Sequence, residues 1–464
     1  MSTSRKHSPA DDAPDLARYH RQMLLPGIGV DGQRNLLNSH AAIVGCGALG
    51  TVAAEILARA GIGRITLIDR DIVEWTNLQR QTLYDEADAR EATPKAAAAA
   101  ARLARINAAV RIVSHIADFN SSNAEQLLHL RDDLAAPDHP PPGVIIDGTD
   151  NFETRYLLND IAIKHNVPFV YGGAVGTRGM QMSILPGRTA CIRCVFPEPP
   201  APGSAPTCDT AGVLASATGI IAGVQAAEAI KILLGRFDLI APTLLEFDLW
   251  TNHRRRLDLS IARDPACPCC GLRRFDHLNA AAGGAGGTVS LCGSASVQVL
   301  PPHGAAAAID LDALAARLAP HGPTVRTAHL LRITLDADGL GAGAMNVGET
   351  TAAGGAYAGN AGNEVVGGVG PGGLGGGWVD GRGDGGGGGS GGGAGGSGGE
   401  SRRGIGGGGS GGGGSGGGGS GGGAGGGAGV GRAEITVFRD GRAIIRGTTD
   451  PARARAIYAR FIGA

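Results

Sequence analysis

The stretch from Ala41 to Arg80, AAIVGCGALGTVAAEILARAGIGRITLIDRDIVEWTNLQR, constrains this chain more than any other. Ala41 to Val44 is a short apolar run with strand character. Gly45, Gly47 and Gly50 follow it as G-x-G-x-x-G, with Ala48 inside the loop. Val52, Ala53, Ile56 and Leu57 then recur at helical spacing. Ile65 to Ile68 reads as a second strand, closed by Asp69, 19 residues after Gly50. Glycines let the backbone turn sharply and approach a phosphate, and the helix behind them aims free N–H groups at an anion. An acid at that spacing can accept hydrogen bonds from a ribose. The glycine pattern alone is weak evidence; with strand, helix, strand and acid in order it predicts a nucleotide site.

The continuation separates one nucleotide from another. Asp69-Arg70-Asp71 runs into Asn77-Leu78-Gln79-Arg80-Gln81, and Pro94-Lys95 opens an alanine-rich helix. A nicotinamide site has little use for Asn77, Arg80 and Lys95 gathered beyond the second strand. A triphosphate has, because these residues bring donors and cations to three charged phosphoryl groups. Either segment alone reads as a solvated loop or an ordinary helix start. Together they favour ATP over a dehydrogenase cofactor.

A length of 464 residues allows two or three domains. Glycine is the anomaly, 82 residues gathered mostly in one late block. The net charge of −1 gives no electrostatic case for nucleic acid or an anionic membrane as partner. The N-terminus, MSTSRKHSPADDAPDLARYH, lacks the apolar core of a signal peptide. The most hydrophobic segment, Ala211 to Leu234, contains Gln225, Glu228 and Lys231 and reads as a buried helix, not a membrane span. The eight cysteines fall largely into C-x-x-C pairs, which suggests metal or redox chemistry and a cytoplasmic location.

Along the chain, residues 1–15 are expected to be disordered, and a helical arm is expected to run from Arg18 to Leu37. After the nucleotide unit come a helix at Lys95 to Asn107 and strands at Val110 to Ile116 and Val144 to Asp147. A helix over Phe152 to His165 and strands at Pro168 to Tyr171 and Met180 to Leu185 follow. Strands alternating with helices predict an α/β fold, a doubly wound, Rossmann-like, mostly parallel sheet. Ligands of such sheets sit beyond the carboxyl ends of the strands, which places Gly45, Asp69 and Asp150 on one rim. Thr243 to Leu249 and Arg254 to Leu259 read as a hairpin. We take 16–275 as the ATP-binding domain, and 287–340 with 432–464 as one small C-terminal α+β domain. Between those halves, 341–431 is dominated by glycine and is expected to be disordered, because it cannot bury enough apolar surface to offset its chain entropy.

Cys191-Ile192-Arg193-Cys194 and Cys267-Pro268-Cys269-Cys270 give C-x-x-C twice, far apart. Four thiolates in a tetrahedron suit a structural Zn²⁺ that clips the later segment back onto the sheet. Cys269 is the spare. A thioredoxin-like redox pair fits poorly, since neither pair opens a helix after a strand. Asp150, past a strand end, would hold Mg²⁺ against a triphosphate, or else cap the helix that begins at Phe152. Cys208 precedes a helix whose dipole would make it reactive; a small buried cysteine is the equal alternative. Cys46 and Cys292 read as filler.

Residues 18 to about 271 resemble the ThiF/MoeB/HesA family, the bacterial relatives of ubiquitin-activating enzymes. The matching motifs are RYHRQ, GCGALG, LIDRDIVEWTNLQRQ, PKAAAAAARLARIN, IIDGTDNFETR, CIRC, TCDTAGVLA, AAEAIKILLG and CPCCG. The resemblance implies an adenylyltransferase that activates the C-terminal Gly-Gly carboxylate of a small ubiquitin-like sulfur-carrier protein, releasing pyrophosphate. A sulfur donor protein would act on the product. By position, Gly45 to Gly50 and Asp69 would hold the adenosine; Asn77, Arg80 and Lys95 the phosphates; and Asp150 the magnesium. Cys191, Cys194, Cys267 and Cys270 match the zinc ligands. Cys208 matches a crossover-loop cysteine that some members use covalently. The resemblance also implies a homodimer in which Arg21 reaches the neighbour's ATP site. The chain departs from the family at EADAREATPK, which lacks the usual Val-Gly, and its C-terminal region is expected to be neither a rhodanese domain nor a carrier.

Overall fold

The computed structural model describes residues 16–131, 140–200, 208–280, 288–291, 296–301, 309–335 and 433–463. The stretches read as disordered, 1–15 and 341–431, lie outside the described residues, as does Cys292. Everything described belongs to one compact unit.

Eight strands form the larger sheet: β1 (His40–Val44), β2 (Arg64–Asp69), β3 (Arg111–Ile116), β4 (Val144–Asp147), β5 (Phe169–Val175), β6 (Arg178–Ile184), β7 (Thr243–Asp248) and β8 (His253–Asp258). Their order is β3-β2-β1-β4-β5-β6-β7-β8. The first five are parallel, and β5 to β8 pair antiparallel. The central strands are apolar on both faces, as a sheet covered on both sides requires. Ala41 and Ile43 face the helices Ala48–Ala60 and Ala215–Leu233, and Ala42 and Val44 face the helix Phe152–His165. Strand order reverses between β1 and β4. There the carboxyl ends diverge and leave the crevice in which such sheets bind ligands.

Three elements differ from the sequence reading. The N-terminal arm is a 3-10 turn (Leu16–Tyr19), a single turn (His20–Met23) and a separate helix (Gly29–Leu37). Pro26 has no N–H to donate and turns Leu25 away from helical angles, so one continuous helix cannot form. The long helix begins at Ala215, after Gly212 and Leu214 have hydrogen-bonded to Gly176 at the β5–β6 turn. Strands β5 and β6 run longer than expected, because Gly172, Gly173 and Gly179 lie inside them and carry no hydrophobic signal.

The second sheet has six antiparallel strands: β9 (Thr288–Leu291), β10 (Ser296–Val299), β11 (Thr324–Arg326), β12 (Leu330–Thr334), β13 (Glu434–Phe438) and β14 (Ala443–Arg446). The order is β11-β12-β13-β14-β10-β9, so strands from both sides of the glycine-rich stretch lie in one sheet. β12 pairs β13 in register from Leu330↔Phe438 to Thr334↔Glu434. Helices Leu311–Leu318 and Pro451–Phe461 cover one face, packing on Val297, Leu331, Ile333, Ile435, Val437 and Ile445.

Candidate nucleotide site and four-cysteine centre

The glycine loop is shaped by two close approaches. Gly45 has φ +91°, a conformation L side chains rarely adopt, and a Cβ there would lie 2.5 Å from the Gly148 carbonyl. A Cβ on Gly50 would lie 1.9 Å from the Gly45 oxygen, so only glycine lets the helix start this near its strand. Gly47 is the helix N-cap and Ala48 the first helical residue, with no side chain capping the turn. Its first N–H groups therefore have neither intrahelical nor side-chain acceptors, and the positive end of the helix faces the crevice.

Asp69 ends β2 and secures this loop. Its Oδ2 accepts from the Cys46 N–H at 2.6 Å and its Oδ1 from the Asp71 N–H at 2.7 Å. Burial pushes the Asp69 carboxyl up, against the pull of Lys95. Lys95 opens its helix with its backbone N–H on the Asp71 carbonyl (2.8 Å) and its Nζ on Asp71 Oδ2 (3.1 Å). Burial opposes the ammonium's charge, but Asp71 and then Asp69 outweigh it and hold Lys95 above its usual range. Asp71 is held low: burial raises it, and Lys95 followed by Arg70 more than compensates. Asn77 is buried in the 3-10 turn Trp75–Asn77, its Oδ1 accepting from Glu74 N–H at 3.0 Å. Arg80, half-buried, donates to the Thr76 carbonyl at 2.8 Å.

Asp150 is exposed just beyond β4, close enough for its charge to act on Lys95. It does not cap the following helix; Asn151 does, accepting from Thr154 N–H at 2.8 Å. That leaves the Asp150 carboxylate without a capping duty. Sequence reasoning missed the pair beneath it. Asp147 is fully buried and accepts from Arg155 Nε at 3.1 Å, while Arg155 Nη2 donates to the Thr149 carbonyl at 2.8 Å. This pair shapes the turn that presents Asp150. Their spacing within IIDGTDNFETR, one residue at a strand end and one a helical turn into the next helix, is the signal that would have found them.

The site set is therefore partly assembled. Gly45, Gly47, Ala48, Gly50, Asp69, Asn77, Lys95 and Asp150 gather at the β1–β4 rim and on the segment after β2. Arg21 is exposed on the arm and joins none of these contacts. Its neighbours fix that arm: Tyr19 is buried and accepts from Asn107 Nδ2 at 2.9 Å, and Gln22 donates to Gln33 and to the Ala60 carbonyl. Cys208 opens the short helix Cys208–Ala211, and its side chain lies outside the described residues. The segment EADAREATPK, without its Val-Gly, forms the helix Glu86–Glu91 and closes with Ala92 at φ 51°.

Apart from that rim, Cys191, Cys194, Cys267 and Cys270 bring their sulfurs within 4.8 Å of one another. Separations of 3.8, 3.6 and 3.4 Å between neighbouring sulfurs approach the ~3.8 Å edge of a tetrahedron with Zn–S of about 2.3 Å. The donor set fits zinc. Cys269 stands outside this set of four, accepting from Asn159 Nδ2 at 3.2 Å, while Asn159 Oδ1 accepts from Ile192 N–H at 2.9 Å. Asn159, fully buried, thus ties both cysteine turns to the helix Phe152–His165. Asp160 beside it accepts from the N–H groups of His277 and Leu278.

Residues 19–269 match the family described as the ThiF family. The sulfur carrier protein ThiS adenylyltransferase of Bacillus subtilis is 40% identical over 305 residues, covering 66% of this chain and 85% of the relative. The sulfur carrier protein adenylyltransferase of Thermus thermophilus is 38% identical over 263 residues, 55% of this chain and 91% of that one. The SAMP-activating enzyme E1 of Haloferax volcanii is 36% identical over 267 residues, 58% of this chain and 93% of its own length. With more than half of its length matched by the family, and with relatives spanned almost end to end, this chain belongs to the ThiF family.

Proposed function

We propose that the chain is an ATP-dependent adenylyltransferase that activates the C-terminal Gly-Gly carboxylate of a small ubiquitin-like sulfur-carrier protein. A carrier carboxylate oxygen attacks the α-phosphorus, the bond to pyrophosphate breaks, and an acyl-adenylate remains for a sulfur donor protein to use. One observation carries this reading: an uncapped helix N-terminus lies beside a charged Lys95 and an uncommitted Asp150, at the switch point of a parallel sheet. Joining a carboxylate to a polyanion needs charge neutralisation and alignment, not a protein nucleophile.

In this reading Gly45 to Gly50 and Asp69 hold the adenosine, the loop lying where its backbone N–H groups can approach the adjoining phosphate and Asp69 accepting from the ribose with its remaining lone pairs. Asn77, whose Oδ1 is engaged in its turn, offers Nδ2 to the phosphates. Arg80 and Lys95 neutralise them. Asp150 is a hard oxygen donor suited to Mg²⁺, which when bound would neutralise charge on the triphosphate. Arg21, presented outward by a pinned arm, serves a neighbouring subunit, which makes the working form a homodimer. Zn²⁺ at the four cysteines is structural, and the location is cytoplasmic. Cys208, by its position in the TCDTAGVLA motif, is the candidate for a covalent step on the activated carrier.

The test is ATP–pyrophosphate exchange with candidate carriers ending in Gly-Gly. Exchange that appears with one carrier supports the reading and names the substrate. No exchange with any carrier would refute it, and a peptide or small-molecule carboxylate would then be the substrate to seek.

A further inference from the structure

The second sheet has one face covered by its own helices. Its other face, with Leu330, Thr436, Phe438 and Ile444, is turned to the larger sheet. Leu330, Phe438 and Ile444 pack with Ile72 and Ala92, all five nearly inaccessible to solvent, and Ile116 packs against them. Ile72 and Ala92 bracket the segment that carries Asn77 and Arg80, and Ile72 bridges to Pro94, next to Lys95. The C-terminal strands thus form the floor of the segment after β2.

Two arginines fasten that floor. Arg442 is 3% exposed, and every nitrogen of its guanidinium is committed. Nε donates to Asp440 at 2.8 Å, Nη1 to the Arg70 carbonyl at 3.1 Å and Nη2 to the Ile116 carbonyl at 3.3 Å. The plane also lies over the Phe438 ring, 4.3 Å from its centre. Arg446 pairs with Glu74 and with Glu434. The carbonyl of Arg70 belongs to the peptide that begins Asp71, and Glu74 opens the turn that ends in Asn77. A fixed fork reaching two main-chain carbonyls on neighbouring strands sets backbone position, which a flexible ammonium would do less well.

We infer that Arg442 and Arg446 are positioning residues for the nucleotide: they hold residues 70–74 from below, so that Asp69, Asn77 and Lys95 stand where ATP needs them. This rests on the nucleotide reading given above. The C-terminal domain then contributes to adenylation through Arg442 and Arg446. Groups that support ligating side chains from behind are worth about ten- to a hundredfold in affinity or activity where measured at metal sites.

The experiment titrates the full-length chain with a non-hydrolysable ATP analogue, which requires no carrier. Arg442→Ala is expected to weaken binding about tenfold, with Arg442→Lys intermediate. It should raise KM for ATP in exchange while changing kcat much less. Should Arg442→Ala fail to fold, the Glu74–Arg446 pair, whose side chains are 35% and 32% exposed, tolerates substitution. Arg446→Gln is expected to weaken binding severalfold, and Arg446→Lys, which keeps a cation between Glu74 and Glu434, to recover most of it. Lowered thermal stability with unchanged analogue affinity in these variants would overturn the inference and leave the nucleotide site standing. No binding by the unaltered chain would overturn the nucleotide reading and this inference together.

Discussion

At the scale of single residues, the site is a small set of charges whose positions are fixed by backbone hydrogen bonds. Asp150 is exposed and leaves the capping of the next helix to Asn151, so its loss should be felt in chemistry and not in folding. We predict that Asp150→Ala lowers the exchange rate at least about 100-fold, with an unchanged thermal transition. Full activity in that variant would remove magnesium from Asp150. The sequence showed Asp150, Lys95 and the glycines because each sits at a motif boundary where chain direction and charge coincide. It hid Asn159 for a different reason. Its partners are the Cys269 sulfur and the Ile192 N–H, and pairing across the fold leaves no local periodicity to read.

At the scale of elements, β1 carries a proton-sensitive residue in its first position. His40 is buried between the Pro140 carbonyl and Thr66 Oγ1, both 2.9 Å from its ring nitrogens, and burial lowers its pKa to about 4. Above about pH 6.5 the ring is neutral in folded and unfolded chains alike, and His40 adds no pH dependence. Between pH 6.5 and 4 the unfolded chain takes up a proton that the folded one refuses. Stability should therefore fall by up to about 3 kcal/mol over that window, followed by denaturant unfolding at stepped pH, and His40→Asn should flatten the slope. The cysteine turns make a sharper test. Changing Cys191, Cys194, Cys267 or Cys270 to serine should each drop bound zinc well below one equivalent and lower the melting temperature. Cys269→Ser should keep its zinc, because that sulfur faces Asn159. Element boundaries were legible where apolar period and turn chemistry agreed, as at β1, β2 and β4. They were misread where proline broke the arm and where glycines lengthened β5 and β6.

At the scale of the whole molecule, the proposed homodimer would draw Arg21 and Asp150 of one site from different subunits. Mixing Arg21→Ala with Asp150→Ala chains, each inactive alone, should restore about a quarter of the exchange activity through random pairing of protomers in a twofold assembly. An arginine acting within its own chain would restore none. The contact between the second sheet and the segment after β2 could not be read from sequence, since it joins residues such as Arg442 and Arg70 that no motif links. The pairing of β12 with β13 has its own consequence. The Leu335 N–H meets the Ala433 carbonyl at 2.8 Å, so the polypeptide leaves the sheet and re-enters it at a single doorway. Sheet assembly asks only that those two ends meet, and a tight turn would serve as well as the 97 residues now between them. The length of that passage is therefore uncoupled from the pairing of the two strands, and a protein engineer has the same doorway at which to splice in a reporter.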